Sequence, residues 1–410
     1  MSDPEPPTTI DATSAFALGR LPRIEFGAGS VTRVPVVVAG HGRRVLLVSG
    51  GRSFAISGRL GVLEVDLRKL GVRIVGHLAV TDEPSPETID DAVAGHRTSS
   101  VEVVLAIGGG SVVDAGKAIA GLLRTNTSIR DHLEGFHHQL PYPGPSVPLV
   151  AVPTTAGTGS EVTRNAVISE RGPNGFKRSF RDERLVAADA LLDPDLLAGA
   201  PPMLIAANGM DALTQLLESF VSLRASPLTD TLALAGLAAA RDGLRTWHGA
   251  PDGPSAPTAR ARMAYAALLS GICLSHAGLG AVHGLAAPLG ALVPVPHGAA
   301  CGALLPHAVA ATIAALRDRE PGSPAMGRFA VAGRLLAGLP NASTDEDARA
   351  ALIDTLHAWV AALAIRPLLD YGFSAANIPH VVAGSRGGSM RTNPVALHDH
   401  ELAGILAKSL

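Results

Sequence analysis

Between residues 44 and 153 short apolar runs recur, separated by stretches of helix length. Arg44-Val-Leu-Leu-Val-Ser49, Val72-Arg-Ile-Val75, Val101-Glu-Val-Val-Leu-Ala-Ile107 and Pro148-Leu-Val-Ala-Val-Pro153 are four of them. Runs this short, bounded by turn signals, read as buried strands. The third is the clearest and ends abruptly in glycine. Strands alternating with helical segments predict βαβ units, a mostly parallel sheet and right-handed crossovers. Beyond about residue 195 the pattern changes. Strand-like runs vanish, and Ala- and Leu-rich segments such as Thr231–Arg241 and Ala259–Ser270 have the length and residue preference of helices. Pro201-Pro202 suits the first turn of a helix. Trp247 to Thr258, with three prolines and two glycines, is predicted to be a loop. The pattern predicts an α/β N-terminal domain over residues 1–195 and an all-α C-terminal domain over 196–410, with residues 1–20 as a frayed lead-in. No internal repeat is visible.

Composition narrows the function classes. The 410 residues carry 34 Lys+Arg against 36 Asp+Glu, a net charge of −2. Only four are lysine (Lys69, Lys117, Lys177, Lys408), and the arginines do not cluster. Nucleic acid and anionic membranes both require a basic face, so neither is expected as a partner. Aromatic residues, at 3%, are too few for a base-stacking surface. The 47% of hydrophobic residues suffices for a large core. Cys273 and Cys301 are the only cysteines, which excludes a disulfide framework and fits a reducing compartment. With no basic n-region or apolar h-region at the start, no secretory leader is expected and the chain is assigned to the cytoplasm. No run of about 18 uninterrupted apolar residues suggests a membrane span.

Two loops carry candidate chemistry. Ile107-Gly-Gly-Gly-Ser-Val-Val-Asp-Ala-Gly-Lys117 follows the clearest strand and opens a helix. Its glycines let the backbone approach a phosphate, and the helix start presents unpaired N–H groups at the positive dipole end. The spacing is not G-x-G-x-x-G, and a tight strand-to-helix turn satisfies it equally; Asp114 and Lys117 equally suit a solvated surface pair. Pro153-Thr-Thr-Ala-Gly-Thr-Gly-Ser-Glu-Val-Thr163 also follows a strand and offers hydroxyls suited to phosphate, ribose or an amide. A polar, Ser/Thr-capped loop is the plainer alternative.

A third constellation points to a metal. Asp211 and Gln215 in Asn208-Gly-Met-Asp211-Ala-Leu-Thr-Gln215 share a helix face. His283 and His297 lie among apolar residues and prolines in Gly278–Gly298. A lone histidine is usually a hydrogen-bonded core residue, but imidazole is also the commonest ligand for Zn²⁺ and Fe²⁺. An Asp with two His leaves a position open for substrate. No short motif ties Asp211 to the histidines. His132, His137 and His138, in a polar loop, are expected to be exposed; His276 either lines a cleft or caps a turn; His307, after an apolar run, reads equally well as structural or functional. No Gly-x-Ser-x-Gly elbow supports a hydrolase, and neither cysteine sits in a Cys-x-x-Cys motif.

Taken together and in this order, Leu21–Ser30, Gly108–Lys117, Pro153–Thr163, Gly209–Glu218, Gly278–Gly298 and Leu304-Leu-Pro-His307 resemble the iron-containing (group III) alcohol dehydrogenase family. The resemblance implies a dehydroquinate synthase-like fold, with a dinucleotide-binding α/β domain and a helical metal and substrate domain. It implies hydride transfer between NAD(P)H and a carbonyl at the cleft between them, in a homo-oligomer such as a dimer. It puts the pyrophosphate on Gly109, Gly110 and Ser111, with Asp114 beside them. Nicotinamide and ribose contacts fall to Thr154, Thr155, Thr158, Thr163, Asn165 and Lys177, and metal ligation to Asp211, Gln215, His283 and His297. Two positions depart from the family: Gln215 stands where it usually has a histidine, and Ala287 where alcohol-oxidising members often carry one. His276 is the candidate replacement for a proton relay through the latter.

Cofactor choice is partly legible. A carboxylate after the first strand would bind the adenosine ribose and repel a 2′-phosphate. Here Ser49-Gly50-Gly51-Arg52-Ser53 has no acid, and Gly50, Arg52 and Ser53 suit a phosphate, so NADPH is favoured over NADH. The reading is a metal-dependent (Fe²⁺ or Zn²⁺) NAD(P)H oxidoreductase interconverting a small aldehyde or ketone and its alcohol, as a reductase. A metal-free maleylacetate-reductase-like enzyme is the alternative, against which Asp211, His283 and His297 stand. A dehydroquinate-synthase-like lyase would need several basic residues in the helical domain, where no lysine falls between 178 and 407. A non-catalytic nucleotide-binding protein is supported only by Gln215 and Ala287.

Overall fold

The computed structural model describes residues 15–51, 54, 58–172 and 175–410. Arg52 and Ser53 lie outside the described residues. The chain divides into two compact units, one of residues Gly19–Ala200 and one of Pro201–Leu410 with the described residues 15–18.

The first unit holds β1 (Arg23–Phe26), α1 (Val34–His41), β2 (Arg44–Gly50), α2 (Arg59–Lys69), β3 (Arg73–Val80), α3 (Pro86–His96), β4 (Val103–Gly108), α4 (Gly110–Leu122), β5 (Leu149–Pro153), β6 (Asn165–Glu170), β7 (Phe176–Arg181) and β8 (Asp189–Leu192). Six strands form a parallel sheet in the order β1-β8-β5-β4-β2-β3. Alternate residues feed two apolar clusters. Leu46, Val48, Val104 and Ala106 belong to one; Val45, Leu47, Val103 and Leu105 belong to the other. Burial of both faces is why these strands read as continuous apolar runs rather than alternating ones. From β2 the chain goes first to β3 on one side, then to β4 on the other. The carboxyl ends of β2 and β4 therefore flank the switch point where open α/β sheets bind ligands.

All four predicted strands are present. The run at Val72–Val75 extends to Val80 as β3. Strands β1 and β8, four residues each, and the antiparallel β6–β7 pair are additions, too short or too polar to stand out from their surroundings. His132 is a correction: it is buried, not exposed, stacked on Phe180 and edge-on to Tyr142. Its ring nitrogens bond Leu140 O and Thr127 Oγ1, so its polar atoms are satisfied inside the core. His137 and His138 are exposed.

The second unit is helical: α5 (Pro202–Val221), α6 (Pro227–Gly249), α7 (Ala256–Ala277), α8 (Ala281–Leu292), α9 (His297–Arg319), α10 (Pro324–Ala337), α11 (Asp345–Ala362), α12 (Ile378–Gly384) and α13 (Asp399–Lys408). Helix α5 is buried almost all round from Ile205 onward, which makes it the central helix of this unit. The loop expected at Trp247–Thr258 is shorter than that: α6 runs through Gly249 and α7 starts at Ala256, with Pro257 accommodated in the first helical turn. Helix α9 has the length and apolarity of a membrane span, yet 78% of its most apolar window is buried, as in a core helix.

Candidate functional site

In the first unit the two loops come together. Register pairs Ser49 with Ile107 and Gly108 with Pro153, so β2, β4 and β5 end at one edge of the sheet. Gly109 is the N-cap of α4 and no side chain caps that end, which leaves first-turn amides available to an anion. The Thr-rich loop packs directly against this turn. A Cβ on Gly110 would fall 2.7 Å from Thr158 Oγ1, and one on Gly109 3.3 Å from Thr155 Cγ2. Glycine is therefore sterically required at the closest approach. Ser111, Thr154, Thr155 and Thr158 are partly exposed around this point.

Beneath them lies a buried polar network rather than a solvated surface pair. Lys117 is fully buried; its Nζ donates to Ser160 Oγ and Thr163 Oγ1 at 2.8 Å each and to Asn165 O at 2.6 Å. Asp114 lies 3.5 Å from the same ammonium, accepts from Ser160 Oγ, and accepts from Val167 N at 3.2 Å. Burial pushes the Glu161 carboxyl up to about 7, with Lys117 opposing and Asp114 reinforcing the rise. Burial likewise pulls Lys117 below the usual ammonium range, against Asp114 and Glu161. Asp114, Thr163 and the Asn165 carbonyl thus pin the Thr-rich loop to α4 from below. Lys177, on β7, donates from Nζ to Glu83 Oε1 at 2.5 Å.

In the second unit three distant segments meet. Asp211 comes from the middle of α5, His283 from the first turn of α8, and His297 opens α9. His283 Nε2 lies 3.3 Å and His297 Nε2 3.8 Å from Asp211 Oδ1. Cys301, one turn after His297, joins them: its Sγ is 3.7 Å from His283 Nε2 and 3.8 Å from His297 Nε2. The four donor atoms all lie within 4.8 Å of one another. Asp211, His283 and Cys301 are buried, whereas the His297 side chain is 25% exposed.

The supports of this cluster are specific. Glu218, two turns after Asp211 on α5, accepts from His283 Nδ1 at 2.6 Å and from Val282 N at 2.7 Å. A carboxylate on Nδ1 turns Nε2 toward the cluster, and in the neutral ring it would keep the proton on Nδ1 and the lone pair on Nε2. Asn393 Oδ1 accepts from Ala281 N at 3.1 Å, holding the start of α8. Gln215 sits beside Asp211 and hydrogen-bonds its carboxylate, while Gln215 Oε1 accepts from Ser270 Oγ at 2.8 Å. Burial opposes the charge on Asp211, but His297, His283 and Gln215 together hold its carboxyl below the usual range. Burial also opposes a charged His283; Cys301, Glu218 and Asp211 nevertheless raise it well above the usual imidazole range. A buried set of one carboxylate, two imidazoles and one thiol, with a carboxylate behind one imidazole, fits a divalent transition-metal ion.

His276 is not part of this donor group among the described residues; it is half-buried on α7 with Nδ1 2.8 Å from Ile272 O. His307 packs edge-on against His357, and burial pulls it down to about 4. Cys301, Glu218 and Ser270 were not singled out from sequence. For the first two a signal exists: Cys301 is four residues past His297 and Glu218 seven past Asp211, both helical same-face spacings.

Comparison with known proteins decides the family. Residues 22–194 match the iron-containing alcohol dehydrogenase family, and residues 205–410 the C-terminal region of the Fe-containing alcohol dehydrogenases. The chain belongs to the iron-containing alcohol dehydrogenase family. It is 31% identical to the 1,3-propanediol dehydrogenase of Citrobacter freundii over 371 residues, 90% of this chain and 92% of that one. It is 34% identical to the lactaldehyde reductase of Escherichia coli K12 over 286 residues, 69% of this chain and 72% of that one. Among solved structures, the sulfoacetaldehyde reductase of Bifidobacterium kashiwanohense in complex with NAD⁺ matches with a TM-score of 0.81 at 26% identity, covering 96% of this chain and 98% of that one. This iron-containing alcohol dehydrogenase family member therefore carries a parallel-sheet N-terminal domain and a helical C-terminal domain, in an oxidoreductase family.

Proposed function

We propose that this chain is a metal-dependent NAD(P)H oxidoreductase that interconverts a small aldehyde or ketone and its alcohol, working as a reductase. The observation that carries the reading is the convergence of Asp211, His283 and His297 on one point, with Glu218 holding His283 Nε2 toward it. When bound, a divalent cation supplies Lewis acidity toward a carbonyl oxygen, and NAD(P)H supplies the hydride.

The chain's own residues do the rest. Gly109, Gly110 and Ser111 receive the pyrophosphate on the first turn of α4, because only glycine leaves room against Thr158. Thr154, Thr155 and Thr158 offer hydroxyls at the same edge, and the buried Lys117 network holds their loop rigid. Asp211, His283 and His297 would hold the cation, and His276 or water would supply the proton that the product oxygen takes up. Absence of a carboxylate in Gly50-Gly51-Arg52-Ser53 supports NADPH as the preferred donor.

The test is NADPH oxidation by the purified protein with short aliphatic aldehydes, lactaldehyde among them. Turnover should exceed that with NADH, vanish on chelation and return with a divalent metal. His283→Ala and His297→Ala should each abolish it. Wild-type rates in both variants, or in metal-stripped protein, would overturn the reading.

A further inference from the structure

The four-atom cluster contains a donor that a three-residue Asp/His/His reading leaves unused, and its spacing is informative. A tetrahedral ion with N and O ligands at roughly 2.0–2.1 Å and a thiolate at about 2.3 Å places neighbouring ligand atoms roughly 3.3–3.6 Å apart. Four donor pairs here measure 3.3, 3.7, 3.8 and 3.8 Å. They link Asp211 to both imidazoles and Cys301 to both imidazoles, so the sulfur stands on the same two histidines as the carboxylate. Its position follows from α9: His297 and Cys301 are one helical turn apart and project from one face. Gln215 has a different engagement, with its oxygen on Ser270 and its side chain bonded to Asp211.

We propose that Cys301 Sγ is a cation ligand alongside Asp211, His283 and His297, that this set makes the site one for zinc rather than iron, and that a substrate oxygen would enter as a fifth ligand. The inference rests on the reading of the cluster as a cation site. A thiolate is a soft ligand, and tetrahedral sulfur- and nitrogen-containing sets are characteristic of Zn²⁺. Gln215 is then a positioning residue that orients Asp211. The remaining cysteine, Cys273, is a control: it is buried elsewhere, with its Sγ 3.5 Å from Thr229 O.

The experiment titrates Co²⁺ into the chelator-treated full-length protein. A thiolate-to-cobalt charge-transfer band in the near ultraviolet is expected at one equivalent, unchanged in Cys273→Ala. In Cys301→Ala and Cys301→Ser the band should disappear while cobalt still binds, at least about tenfold more weakly. X-ray absorption of the zinc-loaded wild type, which needs no variant, should show one sulfur neighbour at about 2.3 Å. In competition between Zn²⁺ and Fe²⁺, the preference for zinc should fall at least about tenfold in Cys301→Ala. Cobalt bound without the band, or a zinc shell of nitrogen and oxygen only, would overturn the role of Cys301 and leave the three-residue site standing. An unchanged zinc preference would overturn the selectivity. Failure of the wild type to bind either metal would overturn both this inference and the function it rests on.

Discussion

Single residues in this protein carry polar chemistry into apolar surroundings, and the consequence is measurable. Glu161 has a carboxyl raised to about 7 in the folded chain, against about 4.5 for an ordinary glutamate. Between those values the folded state holds more protons than the unfolded one, so its contribution to stability falls as pH rises from about 4.5 to about 7 and then levels off. Glu161→Gln removes that titration. Compared with wild type, it should gain stability as pH is raised through this window, by up to about 3 kcal/mol. Denaturant midpoints at pH 4.5, 6 and 8 check this; a constant difference between the two proteins would rule it out. His283 and His297 were legible as single residues because imidazoles in apolar sequence demand a partner. Cys301 was not, because a buried cysteine is an ordinary small hydrophobe until its neighbours are known.

At the scale of elements, backbone proximity positions the donors. Helix α9 begins at His297, and Gly298 follows it against α5. A Cβ there would fall 2.1 Å from Ala207 O, a backbone atom that cannot rotate away. Gly298→Ala should therefore displace the start of α9 from α5 and carry His297 with it. We expect a loss of about 1–3 kcal/mol in stability, together with weaker cation binding. Thermal unfolding and a cobalt titration of the variant would show it; wild-type behaviour in both would mean that the two helices can separate without moving the histidine. The strands of the sheet were legible because burial on both faces writes a continuous apolar run. The short β1 and β8 and the polar β6–β7 pair were not, since four residues or a half-exposed hairpin leave no such run.

At the scale of the whole molecule, the two loops proposed to hold the nucleotide and the cluster proposed to hold the cation belong to different compact units. Their binding functions should separate by mutation. Glu218→Gln removes the charged partner of His283 Nδ1 and should weaken cobalt binding by about 10–100-fold, with NADPH affinity kept. Gly110→Val fills the space against Thr158 and should weaken NADPH binding, with cobalt affinity kept. Fluorescence titration of NADPH and absorbance titration of cobalt in both variants form the test. If either variant lost both ligands together, the assignment of each site to its own unit would be wrong.

Local pattern was enough for four strands of the sheet, the change to helices after about residue 195, the glycine turn after β4, and the candidacy of Asp211, His283 and His297, because periodicity and backbone sterics are properties of neighbouring residues. Pairing those three with one another, bringing Cys301 onto the same imidazoles, placing Glu218 behind His283 and burying the Lys117 network required the folded chain. Each depends on distances between segments far apart in sequence, and such distances are set by helix packing and strand order rather than by any residue's own neighbours.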